Sequence, residues 1–247
     1  MPPTEKTDYN QIAADYVESK KKPWRKYVED YSFLRLIGDV SGKRVIDLAC
    51  GAGHFTRKVK ERGAAEVFGV DLSEAMIHIA QQEEASAPLD IRYAVEDVCT
   101  TGEAEQFELA VSAWLLVYAQ TLVELDQFCA GVARRVAPGG RFVTFTTDPD
   151  VYFHEKQDYR KYDIHLELED EAREGALIRF HLLNGGEECV VDNYYLPKEA
   201  YRDALLKAGF DEVIFHGLEV SPEAEEPAFW DDFVQYPLAF MIEAFKA

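Results

Sequence analysis

The apolar residues of this chain follow two alternating patterns over most of its length. Short runs rich in β-branched residues, such as KRVIDLAC, AEVFGVD and FELAVSAWLL, predict strands that are covered on both faces. Between these runs the apolar positions recur at helical spacing, with Ser73 placed to cap one helix and Gly63 to end another. Strands that alternate with helices predict an α/β fold with a doubly wound, mostly parallel sheet.

The pattern changes on both sides of this region. Residues 1–40 space their apolar positions as two helices interrupted at Pro23, which predicts an N-terminal helical cap. Residues 151–196 carry β-strand patterns instead, with a turn at Asn184-Gly185-Gly186. We interpret 151–196 as an antiparallel, β-rich lid insertion within a single domain of residues 1–247. Two final strands complete a seven-stranded sheet and form its antiparallel edge.

Composition narrows the possible partners. The chain has 247 residues, is 47% hydrophobic and carries a formal net charge of −20. Such a field repels nucleic acids at long range, so we expect no nucleic-acid partner. Because no apolar stretch reaches the roughly 18 residues of a membrane span and the first residues lack a leader-like apolar segment, we expect a cytoplasmic protein. The four cysteines form no CxxC pair, so neither a metal site nor a disulfide framework is expected.

Acidic residues end three successive predicted strands. Asp47, Asp71 and Asp97 each stand at a carboxyl end, and Trp114 follows the fourth strand. Right-handed crossovers place these ends along one edge of the sheet, where open α/β folds bind their ligands. The sequence therefore predicts one ligand site that contains all four residues.

The stretch VIDLACGAGHF restricts which ligand this site can hold. A glycine-rich turn after the first strand indicates a nucleotide-containing cofactor, but Thr56 stands where a dinucleotide fingerprint needs its third glycine. A phosphate-binding P-loop is excluded because no GK[ST] follows. The carboxylate of Asp47 beside the turn would repel a pyrophosphate. A cofactor that is cationic here and lacks phosphate fits better, and S-adenosylmethionine has these properties.

Each residue of this site can be given a role toward S-adenosylmethionine. Asp47 would organise the loop and attract the α-ammonium group, while Gly51 and Gly53 would let the backbone approach the methionine portion. Asp71 would accept hydrogen bonds from the ribose hydroxyls, and Asp97 from the adenine amino group. The adenine ring would lie on three apolar side chains, namely Leu72, Met76 and Val98.

The ordered set of motifs resembles a known family. VIDLACGAGHF, VFGVDLSEAMIHIAQ, YAVEDV, FELAVSAWLLVYA and VAPGGRFV are similar, in order and spacing, to the motifs of class I S-adenosylmethionine-dependent methyltransferases. The similarity covers residues 44–147, and the flanking segments YNQIAADY and YYLPKEAYRDALLKAGF resemble the small-molecule branch of this family. IGDVSGKRVIDLACG and FWDDF look closest to the azapteridine N-methyltransferase of toxoflavin biosynthesis, a match that implies a heteroaromatic nitrogen acceptor in secondary metabolism. The resemblance implies a Rossmann-like methyltransferase fold, with S-adenosylhomocysteine as product.

The resemblance also implies which residues line the cofactor site: Ala49, Gly51, Asp71, Leu72, Met76, Asp97, Val98 and Trp114. Tyr9 and Tyr16 match positions that close over the methionine end. Arg25 would pair with the carboxylate of the cofactor, or else be an ordinary surface cation.

The acceptor site is predicted between the N-terminal helices, the loop after the fourth strand and the lid insertion. Aromatic residues of these segments are the candidate acceptor contacts: Trp24, Tyr27, Trp114, Tyr118, Tyr152, Tyr195 and Trp230. They favour a small, flat acceptor methylated at nitrogen or oxygen. In-line methyl transfer can rely on proximity alone, so a base is optional. Four residues are candidate bases: His154, His165, His181 and Tyr118.

Two other classes of function stay open at this point. A nucleotide-dependent oxidoreductase could use the same fold, although Asp47 and Thr56 disfavour it. A non-catalytic regulatory protein that binds S-adenosylmethionine would keep the same three acids.

Overall fold

The structure is a computed structural model that describes residues 7–99, 105–154, 158–184 and 187–247. Its main sheet has seven strands in the order β3-β2-β1-β4-β5-β10-β9. The strands are β1 (Arg44–Leu48), β2 (Glu66–Asp71), β3 (Ile91–Val95), β4 (Phe107–Ala113), β5 (Val136–Thr147), β9 (Glu212–His216) and β10 (Ala239–Phe245). β1 to β5 pair in parallel, whereas β10 runs antiparallel to both β5 and β9. The predicted fold class is confirmed.

Helices cover both faces of this sheet. They are α1 (Tyr9–Ser19), α2 (Tyr31–Ile37), α3 (His54–Glu61), α4 (Glu74–Ser86), α5 (Leu122–Arg135), α6 (Lys198–Lys207) and α7 (Asp231–Gln235). A π-helical segment, Arg25–Asp30, leads directly into α2. The Ser73 side chain accepts a hydrogen bond from the Met76 amide, so it caps α4 as its position predicts.

Two hydrophobic cores follow from the alternation of side chains along the central strands. Val45 belongs to the core shared with the N-terminal helices, α3 and the insertion, while Ile46 and Leu48 belong to the core under α5 and α6. Successive side chains of a strand point to opposite faces of the sheet. Asp47 therefore faces α3, a direction that decides its partners.

A separate three-stranded antiparallel sheet lies in the insertion. It consists of β6 (Ile164–Leu168), β7 (Leu177–Asn184) and β8 (Glu187–Tyr194), with β7 in the middle. The glycines of the predicted turn, Gly185 and Gly186, lie outside the described residues. Buried side chains of these strands join the core on the side of the N-terminal helices. We call residues 151–196 the lid.

The structure differs from the sequence prediction in two elements. A 3₁₀ turn, Pro227–Trp230, and the short helix α7 lie between β9 and β10, in an acidic, proline-containing stretch without clear periodicity. β5 begins at Val136, before the segment GRFVTFTTDP whose pattern predicts this strand, because the pairing with β4 shifts register between Phe107 and Leu109. Among the described residues, no helix combines the length and the apolar character needed to cross a membrane.

Candidate active site

A cavity of about 490 Å³ opens at the carboxyl edge of the parallel strands. It lies where β1, β2 and β4 end and where the chain leaves β3, and its volume is within the range of roughly 300–1,000 Å³ of small-molecule sites. Ten of the thirteen residues predicted for cofactor binding line it: Tyr9, Tyr16, Ala49, Gly51, Asp71, Leu72, Met76, Asp97, Val98 and Trp114. We call it the large cavity.

The loop after β1 forms one wall of the large cavity. Ala49 and Gly51 have positive φ angles of 59° and 55°, and a Cβ placed on Gly51 would meet no described atom within 4 Å. Gly53 has a φ of 88°, and a Cβ there would lie 2.5 Å from the hydroxyl of Tyr93. Gly51 thus keeps space open beside the loop, whereas Gly53 is required by packing and by its backbone conformation.

Asp71, at the end of β2, holds this loop in place. Its Oδ2 accepts a hydrogen bond from the amide of Gly51 at 2.8 Å, and its Oδ1 accepts one from the amide of Ser73 at 2.8 Å. Burial raises the pKa of Asp71, while the backbone donors oppose that shift. Each carboxylate oxygen can accept more than one hydrogen bond, so Asp71 keeps acceptor capacity toward the cavity.

Beyond β3, the wall combines a carboxylate with apolar surface. Asp97 Oδ1 accepts a hydrogen bond from the amide of Cys99 at 2.8 Å, which orients the side chain. Leu72 is 70% exposed although it is apolar, and it lies near the buried Met76 and Val98 on the same cavity. Such a wall suits a flat ring that carries a hydrogen-bond donor at its edge.

A second cavity, of about 30 Å³, lies between the N-terminal helices, the sheet and the lid. By volume it has room for about two water molecules. It shares four aromatic residues with the large cavity: Tyr9, Tyr16, Trp114 and Tyr118. The rest of its wall is mostly apolar, with Trp24, Phe145, Phe180 and Phe233 among its residues. We call it the inner cavity.

Trp114 stands between the two cavities in a strained conformation. Its φ of 72° is in the left-handed region, which is unfavourable for an aromatic residue by about 1–3 kcal/mol. The surrounding structure holds it there. Its amide donates to the carbonyl oxygen of Phe145 at 2.8 Å, its ring packs edge-on against the Phe145 ring, and Nε1 donates to Glu29 Oε1 at 2.8 Å.

Glu29 is the centre of a buried ionic cluster behind Trp114. It is 1% exposed, and it accepts hydrogen bonds from Lys20 Nζ at 3.1 Å and from Arg25 Nη1 at 2.5 Å as well as from Trp114. Burial acts to raise its pKa, but the two cations and the donated hydrogen bonds outweigh burial and lower the pKa to about 2. The ionised carboxylate joins the N-terminal helices to the end of β4.

The hydroxyl groups of Tyr9 and Tyr118 form a hydrogen bond where the two cavities meet. Burial, above all, raises the pKa of each phenol well above its ordinary value. Both phenols are therefore neutral at physiological pH.

Comparisons with known proteins agree with this geometry. Residues 45–140 match the family described as a methyltransferase domain. The chain is 30% identical over 117 residues to the ubiquinone biosynthesis O-methyltransferase of Coxiella burnetii, a match that covers 47% of this chain and 46% of that protein. This chain therefore spans less than half the length of that relative.

Solved structures resemble the whole chain. A protein of Pyrococcus horikoshii superposes with a TM-score of 0.69 at 19% identity, covering 98% of this chain and all of that one. An S-adenosylmethionine-dependent methyltransferase of Mesorhizobium loti superposes with a TM-score of 0.59 at 24% identity, covering 88% and 97% of the two chains. At these identities the likeness establishes the fold.

Residues 45–140 are thus similar to a methyltransferase domain, and we refer to them as the methyltransferase domain. The predicted enzyme class, a methyltransferase that uses S-adenosylmethionine, and the predicted cofactor are confirmed at the level of this domain. The large cavity is formed mainly by these residues, so it is the candidate site for the cofactor, and we call it the cofactor cavity.

Asp47 lies inside the methyltransferase domain but is not part of the described wall of the cofactor cavity. It is 2% exposed, and its Oδ2 accepts a hydrogen bond from Thr56 Oγ1 of α3 at 2.6 Å. Burial raises the pKa of Asp47 to about 7. This placement therefore does not support direct attraction of an ammonium group by Asp47. The carboxyl group instead supports the loop after β1 from the side of α3, away from the cavity. Gly53 also lies outside the wall, packed on Tyr93.

Arg25 is the third predicted cofactor residue outside the wall of the cofactor cavity. It is 3% exposed, so it is not a surface cation, and it lines the inner cavity, with its guanidinium 4.0 Å from the centre of the Trp24 ring. Its charge is balanced by Glu29 at 2.5 Å.

The structure places only some of the predicted acceptor contacts together. Trp24, Trp114 and Tyr118 line the inner cavity. The other four pair with each other elsewhere: Tyr27 packs against Trp230, and Tyr152 against Tyr195, with ring centres 5.9 Å and 5.2 Å apart. Aromatic content alone did not distinguish the core rings from those of the cavity.

The three candidate histidine bases are not among the described residues that line either cavity. His165 and His181 face each other across β6 and β7, and His181 Nδ1 lies 2.5 Å from Glu188. His154 packs against the ring of Tyr236. Tyr118 lines both cavities, but its raised pKa makes it a poor base.

Two residues of the site escaped the sequence analysis. Glu29 follows Arg25 by four residues, a spacing that predicts a helical ion pair but not its burial. Asn193 of β8 lines the inner cavity. No local pattern distinguishes it from the other polar residues of the lid.

Proposed function

We propose that the whole chain transfers a methyl group from S-adenosylmethionine to a nitrogen or oxygen atom of a small aromatic or heteroaromatic acceptor. The observation that carries this proposal is the contact between the two cavities. The cofactor cavity and the ring-lined inner cavity share Tyr9, Tyr16, Trp114 and Tyr118. An acceptor among these rings would lie next to the methionine end of the cofactor cavity.

The residues of the cofactor cavity fit S-adenosylmethionine chemically. Asp71 would accept hydrogen bonds from the ribose hydroxyls, and Asp97 from the adenine amino group. Leu72, Met76 and Val98 would flank the adenine ring, and the open side of Gly51 would admit the methionine portion. When bound, the cofactor supplies an electrophilic methyl group on sulfur.

Binding and orientation are the contributions that these residues can make to the reaction. The inner cavity has room for about two water molecules, so a flat acceptor would enter it only if the surrounding aromatic side chains moved apart; these side chains would then stack on the ring and exclude water. Proximity and orientation can lower a barrier by roughly 7–11 kcal/mol. A dedicated base is not part of the proposal, because Tyr9 and Tyr118 are neutral and the histidines of the lid lie outside the described walls of both cavities.

The lid is proposed to select the acceptor. It contributes Ile164, Phe180, Leu182, Val191 and Asn193 to the inner cavity, and the described residues of the lid line no part of the cofactor cavity. A heteroaromatic nitrogen as the methylated atom is the finer proposal, supported by the resemblance to azapteridine N-methyltransferases. The ubiquinone O-methyltransferase relative supports oxygen instead, through a match to less than half of its length.

Calorimetry and mass spectrometry test the proposal in two stages. S-adenosylmethionine and S-adenosylhomocysteine should bind, whereas NAD should not. An acceptor from a pool of small metabolites should then gain one methyl group, with S-adenosylhomocysteine released. Binding of NAD alone would favour the oxidoreductase, and cofactor binding without transfer to any acceptor would favour the regulatory protein.

A further inference from the structure

Helix α1 forms part of the wall of both cavities, but little of its surface is buried. Tyr9 and Tyr16 of this helix line the cofactor cavity and the inner cavity. Among the side chains of α1 that the structure describes, only Ala13 and Ser19 are buried. A segment with few buried apolar contacts opens locally at a lower free energy than the rest of a protein. The polar contacts of α1 therefore matter for how long the helix stays over the cavities.

Asn10, in the first turn of α1, connects this helix to α4. Its Oδ1 accepts a hydrogen bond from Ser73 Oγ at 2.8 Å and another from the amide of Ala75 at 3.1 Å. Because a backbone amide can only donate, the oxygen of the Asn10 amide group must be the atom that faces α4. Ser73 Oγ in turn accepts a hydrogen bond from the amide of Met76 at 3.2 Å. Every donor in this network thus meets an acceptor.

The contact with Ala75 is a helix cap that comes from a distant segment. The first four amides of a helix have no acceptor within that helix. In α4 the Ser73 hydroxyl caps one of these amides, and Asn10, 65 residues away in sequence, caps that of Ala75. Helix α1 is thereby attached where α4 begins, directly after Asp71 and Leu72, which both line the cofactor cavity.

The same helical segment is attached to the lid on its other side. Oγ1 of Thr7, just before α1, accepts a hydrogen bond from the amide of Asp192 at 3.0 Å. Lys22, just after α1, donates from Nζ to Oδ2 of Asp163 at 2.9 Å. The segment therefore connects the lid to the methyltransferase domain, and Asn10 makes its contact on the cofactor side.

We propose that Asn10 is a positioning residue that holds α1 over the bound cofactor and thereby sets the residence time of the cofactor. Asn10 is not among the described residues that line either cavity, so it acts through Tyr9 and Tyr16, which leave the wall when α1 moves away. The same movement separates the rings between the two cavities, as entry of a flat acceptor requires. The proposal rests on the proposed function, because it takes the large cavity as the site of S-adenosylmethionine.

The release of S-adenosylhomocysteine tests this role in the full chain. Stopped-flow tryptophan fluorescence, with Trp114 in the cavity wall as a probe, gives the association and dissociation rate constants from a series of ligand concentrations. The wild type is compared with Asn10→Ala, Asn10→Asp and Gln11→Ala. Gln11→Ala is the matched control, since the exposed Gln11 side chain donates to Asp8 at 2.9 Å, at the start of α1, and not to α4. Hydrogen exchange of the α1 amides is measured with and without the ligand.

Asn10→Ala should release S-adenosylhomocysteine about three- to tenfold faster, because it loses two partly exposed hydrogen bonds. Exchange of the α1 amides in the complex should accelerate by a similar factor, whereas exchange in α5 should not change. Asn10→Asp should restore the wild-type rate of release, since a carboxylate oxygen accepts the same two hydrogen bonds and its charge is favourable at the start of a helix. Gln11→Ala should release the ligand at the wild-type rate.

Equal rates of release from Asn10→Ala and Gln11→Ala would overturn the proposal, and so would a failure of Asn10→Asp to restore the wild-type rate. Faster exchange of α1 in free Asn10→Ala with an unchanged rate of release would also overturn it, since Asn10 would then only stabilise the helix. Absence of S-adenosylhomocysteine binding to the wild type would contradict the proposed function and this proposal together. Binding with an unchanged rate of release would contradict this proposal alone, so the two failures are distinguishable.

Discussion

The cofactor cavity and the inner cavity adjoin one another, yet the chain builds them in different ways. Most of the cofactor cavity comes from short segments that follow successive parallel strands, including Gly51, Asp71 and Asp97. The inner cavity combines side chains from the N-terminal helices, the segment after β4, β5, the lid and the segment around α7. The first is encoded by strand ends in one stretch of sequence, whereas the second exists only after distant segments have packed together.

The buried ionic cluster of the inner cavity offers the strongest test of this contrast. Glu29→Ala leaves Arg25 buried without its carboxylate, and removing one partner of a buried pair costs about 3–5 kcal/mol of stability. Urea denaturation should measure a loss of this size, and Glu29→Gln should lose less. The exposed ion pair of Glu18 and Lys21 in the same helical region supplies the control, because Glu18→Ala should change stability by less than about 1 kcal/mol. An equal effect of the two alanine substitutions would contradict the buried cluster.

The same contrast explains what could be predicted from the sequence. Asp71 is the last residue of β2 and Asp97 follows β3 by two residues, so topology places both at the cavity edge, where they line the cavity; their roles toward a cofactor stay predictions. Asp47 is the penultimate residue of β1, one residue before the strand end, and the pleat turns its side chain toward Thr56. Glu29 and Asn193 could not be predicted, since their roles depend on contacts between segments far apart in the chain. The lid boundaries stay a prediction.

The buried carboxyl group of Asp47 should make the stability of the protein depend on pH. Its pKa of about 7 lies above the ordinary value of roughly 4 for an unfolded chain, so the folded protein binds this proton more tightly. The contribution is fully present below pH ~4 and is lost as the pH rises to about 7, on the order of 3–4 kcal/mol. Asp47→Asn should remove this pH dependence, so that the variant gains stability relative to the wild type at pH ~8.

Denaturation of both proteins across this pH range measures the difference, and the exposed Asp203→Asn is the matched control without an effect. Since Asp47 lies behind the loop, its replacement should change the affinities for S-adenosylmethionine and adenosine by the same factor. A loss of affinity confined to the ligands with an α-ammonium group would instead indicate that Asp47 contacts the cofactor directly.

A substitution of Asp71 should lower the affinity for the cofactor, because Asp71 lines the cofactor cavity and not the inner cavity. Asp71→Ala removes a carboxylate from the wall of the cofactor cavity and frees the Gly51 amide. Losing hydrogen bonds to a charged acceptor costs about 1.5–3 kcal/mol, or roughly 10- to 150-fold in affinity for S-adenosylmethionine. Calorimetry should show this loss, with unchanged binding for the exposed control Asp203→Ala. Full affinity in folded Asp71→Ala would contradict the assignment of the β2 end.

Tyr118 lines both cavities, and the removal of its hydroxyl group should have the smallest effect of these substitutions. Tyr118→Phe removes one hydrogen bond, to Tyr9, which is worth about 0.5–1.5 kcal/mol. Because burial keeps the phenol neutral, we expect the rate of methyl transfer to fall less than about tenfold, with an unchanged dependence on pH. A base would behave differently: its removal should lower the rate roughly 100-fold or more and abolish one limb of the pH profile.

Tyr162→Phe is the control, since it also loses one phenol hydrogen bond, to Phe229 at 2.6 Å, and does so outside the described walls of both cavities. If both substitutions lower stability by a similar small amount and hardly change the rate, Tyr118 contributes through its aromatic ring. A large loss of rate in Tyr118→Phe alone would show that its hydroxyl group acts as a base.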